Sequence, residues 1–490
     1  MRILAFMLVA ATGCSLAVDT NVRQCAVETD CDHFGSHPSC QQGVCVASGL
    51  GPPGCFFGDP DAQADFANQC TTSQTLKFDN CTRLHACDDP SLAAIFEKAA
   101  PPPNLGTVPA PLIVEPTPTV SCGDVAPNRI YITGSTNLPP LIEAVQKSLY
   151  LADPPYVAVF APQTSCKGAA SILDSDVSKH IIKNVTNNYA FYYDTHGTQQ
   201  FCLLDPDGNT VDIGESDVYP ESCGYQIIGN TADYLGPIQA VTFVVPSAST
   251  QVAISAEAAH LVFGAGGDSG RAAPWSDPHY YFTRSSGTGT TQLAARGISL
   301  DPAKVWGIDR LSAANLAASL EAVDPSVAER AIGLLSSDFA DRSRKNVRVL
   351  AFQQRGQLHA YLPDSSGARF DKSNVRDGHY PIWGAIHLMA ATQSGVPSET
   401  ARALLTRLTV AKLELEMVSA IIKSGFVPSC AMKVNHTSEL GPLSIFKPEF
   451  GCGCFYDNEV NGRTSCTTCG GPGDCPTSAP ACNYGYCEAQ

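Results

Sequence analysis

The chain has 490 residues, with 31 Lys plus Arg against 47 Asp plus Glu, and its formal charge of −16 excludes a protein that grips a nucleic-acid backbone with a basic face. Apolar residues make up 44% and charged residues 16%, the composition of a globular chain long enough for several domains of about 150 residues each. Twenty-one cysteines exclude a reduced cytosol and point to an oxidising, extracytoplasmic compartment.

The N-terminus agrees with that compartment. Arg2 precedes the short apolar run 3–11, and Thr12-Gly13-Cys14-Ser15 follows. The pattern resembles a bacterial lipoprotein signal (1–13) whose cleavage leaves Cys14 as the lipid-bearing first residue; an ordinary export signal that contains a Cys is the alternative. The run is too short to span a bilayer, and no later stretch is long and apolar enough.

The other cysteines gather at the two ends, in segments 14–99 and 430–490. Cys25, Cys31, Cys40 and Cys45 share a spacing with Cys469, Cys475, Cys482 and Cys487. Each set has an Asp before its second Cys (Asp30, Asp474) and a Gly two before its fourth (Gly43, Gly485). One module type used twice is expected, with crosslinks replacing a core in segments this short. Cys452-x-Cys454 and Cys466-x2-Cys469 fit either disulfides or a zinc site, and the compartment favours disulfides. Connectivity is open at this point.

Between the ends, residues 100–121 carry seven prolines (Pro101, Pro102, Pro103, Pro109, Pro111, Pro116, Pro118) and read as an extended linker. From Cys122 the pattern alternates. Strands are expected at 128–132, 156–160, 238–245 and 347–352. Helices are expected at 141–150, behind Pro139 and Pro140 as first-turn residues, and at 255–263 and 398–422. Strands alternating with helices predict an α/β fold with mainly parallel sheets.

Four segments carry candidate chemistry. In 131–140 a strand runs into Gly134-Ser135-Thr136 before a helix, whose free N–H groups and the Thr136 hydroxyl could hold an anion. In 163–172 the pattern repeats, with Ser165 as the expected cap. In 211–220 Asp217 follows a short apolar strand. A carboxylate beside an anion site accepts the proton of hydrogen phosphate and repels fully ionised sulfate. In 283–293 Arg284, two glycines and the hydroxyls of Thr288 and Thr290 precede a helix, a dense donor set. Taken singly, each segment also reads as a plain cap, turn or Gly/Ser/Thr loop.

Together, Gly134-Ser135-Thr136, Ser165-Cys166-Lys167-Gly168, Gly214-Glu215-Ser216-Asp217 and Arg284-Ser285-Ser286-Gly287-Thr288-Gly289-Thr290 resemble, in order, the motifs of the phosphate-binding protein of the bacterial phosphate ABC transporter, with Gly378-His379-Tyr380-Pro381-Ile382 resembling a further segment. The resemblance covers roughly 122–425. It implies a two-lobed type II periplasmic-binding-protein fold: lobe 1 at 122–237 and 380–429, lobe 2 at 238–379, with chain crossings near Gly236 and Tyr380. It implies phosphate held by Thr136, Ser165, Asp217, Arg284, Thr288, Gly289 and Thr290 between lobes that close on a hinge. It also implies an ABC permease partner, a monomer, no cofactor, no metal and no enzymatic activity. Thr288 stands where the family usually has Ser, Lys167 where it has Gly, and Asn137 where it has an aromatic.

Three rival readings remain. A surface lipoprotein could use the same scaffold, with Cys-rich ends that bind a partner. A phosphate-ester hydrolase would need a nucleophile–base pair or metal cluster that the sequence does not offer. Gly267-Asp268-Ser269-Gly270 and Ala258-Ala259-His260 resemble trypsin-like protease motifs, but they lie too close together for that fold. Asn184 and Asn435 head glycosylation sequons by pattern alone.

Overall fold

The computed structural model describes residues 39–41, 44–46, 55–56, 58–87, 92–103, 105, 116–183, 188–268 and 270–489, the first two segments as backbone alone. The expected export signal, Cys14, Cys25, Cys31, much of the Pro-rich stretch, Asn184 and Ser269 lie outside the described residues. Among the described residues no helix is long and apolar enough to cross a membrane. The chain divides into a small unit, 1–53 with 70–72, and a large one containing the rest. In the small unit Ser39–Gln41 pairs antiparallel with Val44–Val46, placing Cys40 opposite Cys45. In the large unit Ala481–Asn483 pairs with Tyr486–Glu488 in the same pattern, with Cys482 opposite Cys487. The two segments matched by cysteine spacing therefore end in the same hairpin.

The large unit is built on two sheets. Its helices include α1 (Gln63–Asn68), α2 (Pro139–Tyr150), α3 (Ser165–Leu173), α4 (Ala256–Ala265), α5 (Gly289–Gly297), α6 (Ala313–Glu321), α7 (Ser337–Arg342), α8 (Glu399–Leu408), α9 (Leu415–Lys423) and α10 (Gly453–Asn461). Its strands include β1 (Thr75–Leu76), β2 (Arg129–Ser135), β3 (Val157–Gln163), β4 (Tyr189–Tyr193), β5 (Gln199–Leu203), β6 (Ile213–Ser216), β7 (Thr231–Pro246), β8 (Ala253–Ser255), β9 (Tyr281–Thr283), β10 (Ile308–Asp309), β11 (Ile332–Ser336), β12 (Val347–Val349), β13 (Ala351–Gln353), β14 (Ala360–Tyr361) and β15 (Trp383–Gln393).

The larger sheet runs β10-β9-β11-β7-β15-β6-β2-β3-β4-β5. It is mixed rather than mainly parallel. β6, β2 and β3 are parallel neighbours, as are β10, β9 and β11, and all of these but β6 lead into an α-helix. The long antiparallel pair β7–β15 joins these two groups. β7 lies beside β15 over its first part and pairs with β11 and β12 over its last. The register slips between Leu235 and Ile238, so the strand bends at Gly236-Pro237, where Pro237 supplies no ladder N–H.

Pattern and structure differ at two places. The expected strand 347–352 is divided at Leu350, because β12 pairs with β7 and β13 with β8 of the second sheet. The expected helix 398–422 is two helices, α8 and α9, both packed on α2. At the N-terminal end Phe66, Phe78, Leu84 and Ile95 lie in the main core, and β1 pairs with β14. That part of 14–99 is stabilised by apolar burial as well as by crosslinks.

Seven disulfides fall among the described residues: Cys81–Cys87, Cys122–Cys202, Cys166–Cys223, Cys430–Cys452, Cys454–Cys466, Cys469–Cys482 and Cys475–Cys487. Cys452, Cys454, Cys466 and Cys469 are thus all oxidised, and the thiolates a zinc site would need are not there.

Candidate functional site

The four segments singled out in the sequence meet in one place, around Asp217. β6 delivers Asp217 one residue beyond its C-terminal end, and the side chain is 1% exposed. Its Oδ2 accepts from Ser135 Oγ at 2.5 Å, Asn137 Nδ2 at 3.1 Å and Ser165 Oγ at 3.2 Å.

The β2–α2 turn departs from the sequence expectation. The N-cap of α2 is Leu138, with no side-chain cap, and Pro139 and Pro140 have no N–H to offer. The next amides, Leu141 and Ile142, donate to Leu138 O. This helix start is therefore no anion site. Thr136 does not cap it, and the Thr136 hydroxyl instead accepts from Arg284 Nη1 at 3.0 Å. Gly134 is required by close approach, since a Cβ there would lie 2.3 Å from Glu215 O.

At α3 the cap is Thr164 rather than Ser165. Ser165 becomes the first helical residue, so its hydroxyl is free to reach the cleft. There it accepts from Gly289 N at 2.9 Å and donates to Asp217. Cys166 N donates to Gly287 O at 3.1 Å, and Cys166–Cys223 ties this turn to the segment after Asp217. Lys167 points to solvent.

The 284–290 loop completes the site. Gly289 opens α5, and a Cβ there would stand 2.4 Å from Asp217 Cβ, so the two residues touch. Thr290 Oγ1 accepts from Asn137 Nδ2 at 3.1 Å. The hydroxyl of Thr288 turns into its own loop, onto Ser285 O at 2.8 Å, and shapes that loop without facing Asp217. Arg284 is 5% exposed, with Nη2 on Leu311 O at 2.8 Å and Nε unpartnered. Burial lowers its pKa from the usual arginine value, opposed by the charges of Asp309 and Asp217.

Sequence reasoning missed several members. Glu215, two residues before Asp217 on the same strand face, is fully buried, and its Oε2 accepts from Ser135 N at 2.6 Å. Burial, then the charge of Asp217, pushes the Glu215 carboxyl well above its ordinary range. Glu215 Oε1 and Asp217 Oδ1 have no hydrogen-bond partner, and burial raises the Asp217 carboxyl above its ordinary value, against the bonds it accepts from Ser135, Ser165 and Asn137. Asn137, noted only as a departure from an aromatic, also reaches Gln239 Oε1 at 3.3 Å. Gln239 Nε2 in turn donates to Asp338 Oδ1 at 3.0 Å. Burial pushes Asp338 up to about 6 in spite of Arg342 at 2.9 Å. The alternation of Glu215 with Asp217 was a period-2 signal available in the sequence. Gln239 and Asp338 carried none, since only tertiary pairing brings them in.

Of the protease-like residues, Ser269 lies outside the described residues, and His260 lies inside α4 with Nδ1 against Ile298 O at 2.8 Å.

No family model and no curated protein matches the chain. Solved structures do superpose on it. A Clostridium perfringens protein solved with bound phosphate aligns over 61% of this chain and 99% of its own, at 12% identity and TM-score 0.43. An ABC-type phosphate transport receptor from Vibrio cholerae covers 61% and 99%, at 13% identity and TM-score 0.38. A phosphate-binding protein from Stenotrophomonas maltophilia covers 61% and 90%, at 13% identity and TM-score 0.37. At such identities and scores nothing about ligand or partner transfers to this chain.

Proposed function

We propose that this chain is an extracytoplasmic solute-binding protein that holds an oxyanion of the hydrogen phosphate type between the β2/β3/β6 loops and the 284–290 loop. One observation carries the reading. Residues from four loops distant in sequence supply a guanidinium (Arg284), a helix-opening amide (Gly289) and hydroxyls (Thr136, Ser165, Thr290) around one buried carboxylate, Asp217. The donors hold the loops together through bonds such as Gly289–Ser165 and Arg284–Thr136. A tetrahedral anion offers acceptors on several sides and can replace those bonds with its own. Asp217 then takes the proton that hydrogen phosphate carries and sulfate lacks. Hinge motion would occur about the β7 and β15 crossings, with 122–237 and 380–429 as lobe 1 and 238–379 as lobe 2. A lipid on Cys14 would hold the protein at a membrane, and a permease of the ABC type would receive the ligand from a monomer.

A second reading is a surface interaction protein whose cleft is idle. It is favoured by the internal pairing of Ser135, Asn137 and Ser165 with Asp217, which gives Asp217 Oδ2 three donors from the chain itself.

Calorimetric titration of the soluble chain, stripped of bound anions by partial unfolding and dialysis, separates the two. Saturable phosphate binding, inert sulfate and loss of binding in Arg284→Ala is the expected result. No binding of either anion refutes the receptor reading.

A further inference from the structure

Glu215 is the acidic group that the oxyanion reading does not use. It is fully buried, it takes the Ser135 amide at 2.6 Å, and its carboxylate oxygen would lie 2.4 Å from a Cβ on Gly134. Its second oxygen has no donor in the cleft. A carboxylate that accepts a turn amide does what an anion's oxygen would do there, so the chain carries a tethered competitor for its own ligand.

We propose, building on the oxyanion reading, that Glu215 sets the charge the cleft accepts: its neutral carboxyl leaves room for an oxyanion beside Asp217, and its carboxylate excludes one. The surroundings support this role. Asp217, on the same strand, is the ionisable group that acts on Glu215. From α3 the nearest charge is Lys167, which is exposed. From β15 it is His387, committed to Asp233 at 2.6 Å. From the 284–290 loop it is Arg284, whose charge is balanced by Asp217 and Asp309. Asp338 lies beyond Gln239, and burial, with a smaller contribution from the Asp217 charge, raises it. Of the facing elements, β2 contributes only the Ser135 amide and hydroxyl. No cation is therefore left over to neutralise Glu215, and ionising it places two adjacent carboxylates in the path of an anion. Burial and the Asp217 charge favour the neutral form. Binding is then lost as pH rises through the raised Glu215 value.

The test is phosphate titration of the full soluble chain and of Glu215→Gln, from pH 5.5 to 9.5. Phosphate's own ionisation is common to both proteins, so the ratio of their affinities reports Glu215. We expect the two to agree within about threefold at pH 5.5 and Glu215→Gln to bind ~10-fold or more tightly at pH 9.5, the effect of about one unit of pKa coupling. Glu215→Ala, which removes the carboxyl from beside Gly134 without adding bulk, repeats the comparison if the Gln variant does not fold by circular dichroism. A constant affinity ratio across the range overturns the role of Glu215 while leaving the receptor reading intact. Absence of phosphate binding in all three proteins at every pH overturns both.

Discussion

Gly289→Ala tests the closest contact in the site. Gly289 lies in ordinary helical backbone, so the substitution meets no conformational objection and gains up to about 1 kcal/mol of helix propensity. Sterically it does not fit. The new methyl would lie 2.4 Å from Asp217 Cβ, 2.6 Å from Asp217 Oδ2 and 2.8 Å from Ser165 Oγ, against the 3.4–4 Å of ordinary contact. The 284–290 loop must retreat by about 1 Å, a displacement of the kind that costs about 1–3 kcal/mol in a packed interior. That retreat also stretches the 2.9 Å bond from Gly289 N to Ser165 Oγ between two buried groups, worth about another 1–3 kcal/mol. After the propensity gain a net loss of about 1–5 kcal/mol remains. Urea unfolding with the disulfides intact reads it directly, and phosphate titration should show binding weakened at least tenfold. A variant with stability within about 0.5 kcal/mol of the parent and unchanged binding would refute the contact between the 284–290 loop and Asp217.

Two further substitutions probe the surroundings. Replacing Cys166 and Cys223 together by Ala frees the turn that carries Ser165. Opening a crosslink across 57 residues should cost up to about 4 kcal/mol by loop entropy, with weaker phosphate binding because Ser165 is no longer held against Asp217 and Gly289; a variant matching the parent in both would show that the crosslink does not position the turn. Asp338→Asn addresses pH. Asp338 keeps its proton in the folded protein up to about 6, against 3.8 for an unshifted Asp, so the native state binds more protons between those values and stability falls as pH rises through the window. The Asn variant should lose this slope, on the order of 3 kcal/mol across the window, as read by urea unfolding at pH 4, 5, 6 and 7. An unchanged slope would mean that Asp338 is not held protonated.

The parts legible in the sequence were those governed by local rules. Pro139 and Pro140 marked the start of α2, the apolar run 238–245 marked the buried part of β7, and the Gly/Thr density at 287–290 marked the start of α5. Those same prolines also removed the amides that the anion reading of that helix required. The strand divided at Leu350 and the paired helices α8 and α9 follow from which neighbour each half packs against, information absent from a periodicity. The electrostatics of the cleft were least legible. Asp217 stood out as a lone carboxylate, yet Glu215 is buried two residues away, and Asp338, more than a hundred residues later, is linked to it through Asn137 and Gln239. The acidic neighbours of a buried carboxylate are invisible until pairing is known.

An oxyanion is expected to bind where Ser165, Gly289, Arg284 and Asp217 meet. Crystals grown with arsenate, a heavier analogue of phosphate, locate the anion by its anomalous scattering. The expected result is one arsenic peak within hydrogen-bonding reach of Ser165 Oγ, Gly289 N and the Arg284 guanidinium, with the direct Ser165–Gly289 and Thr136–Arg284 bonds replaced. A saturating soak that leaves those bonds intact and the cleft without a peak would contradict it.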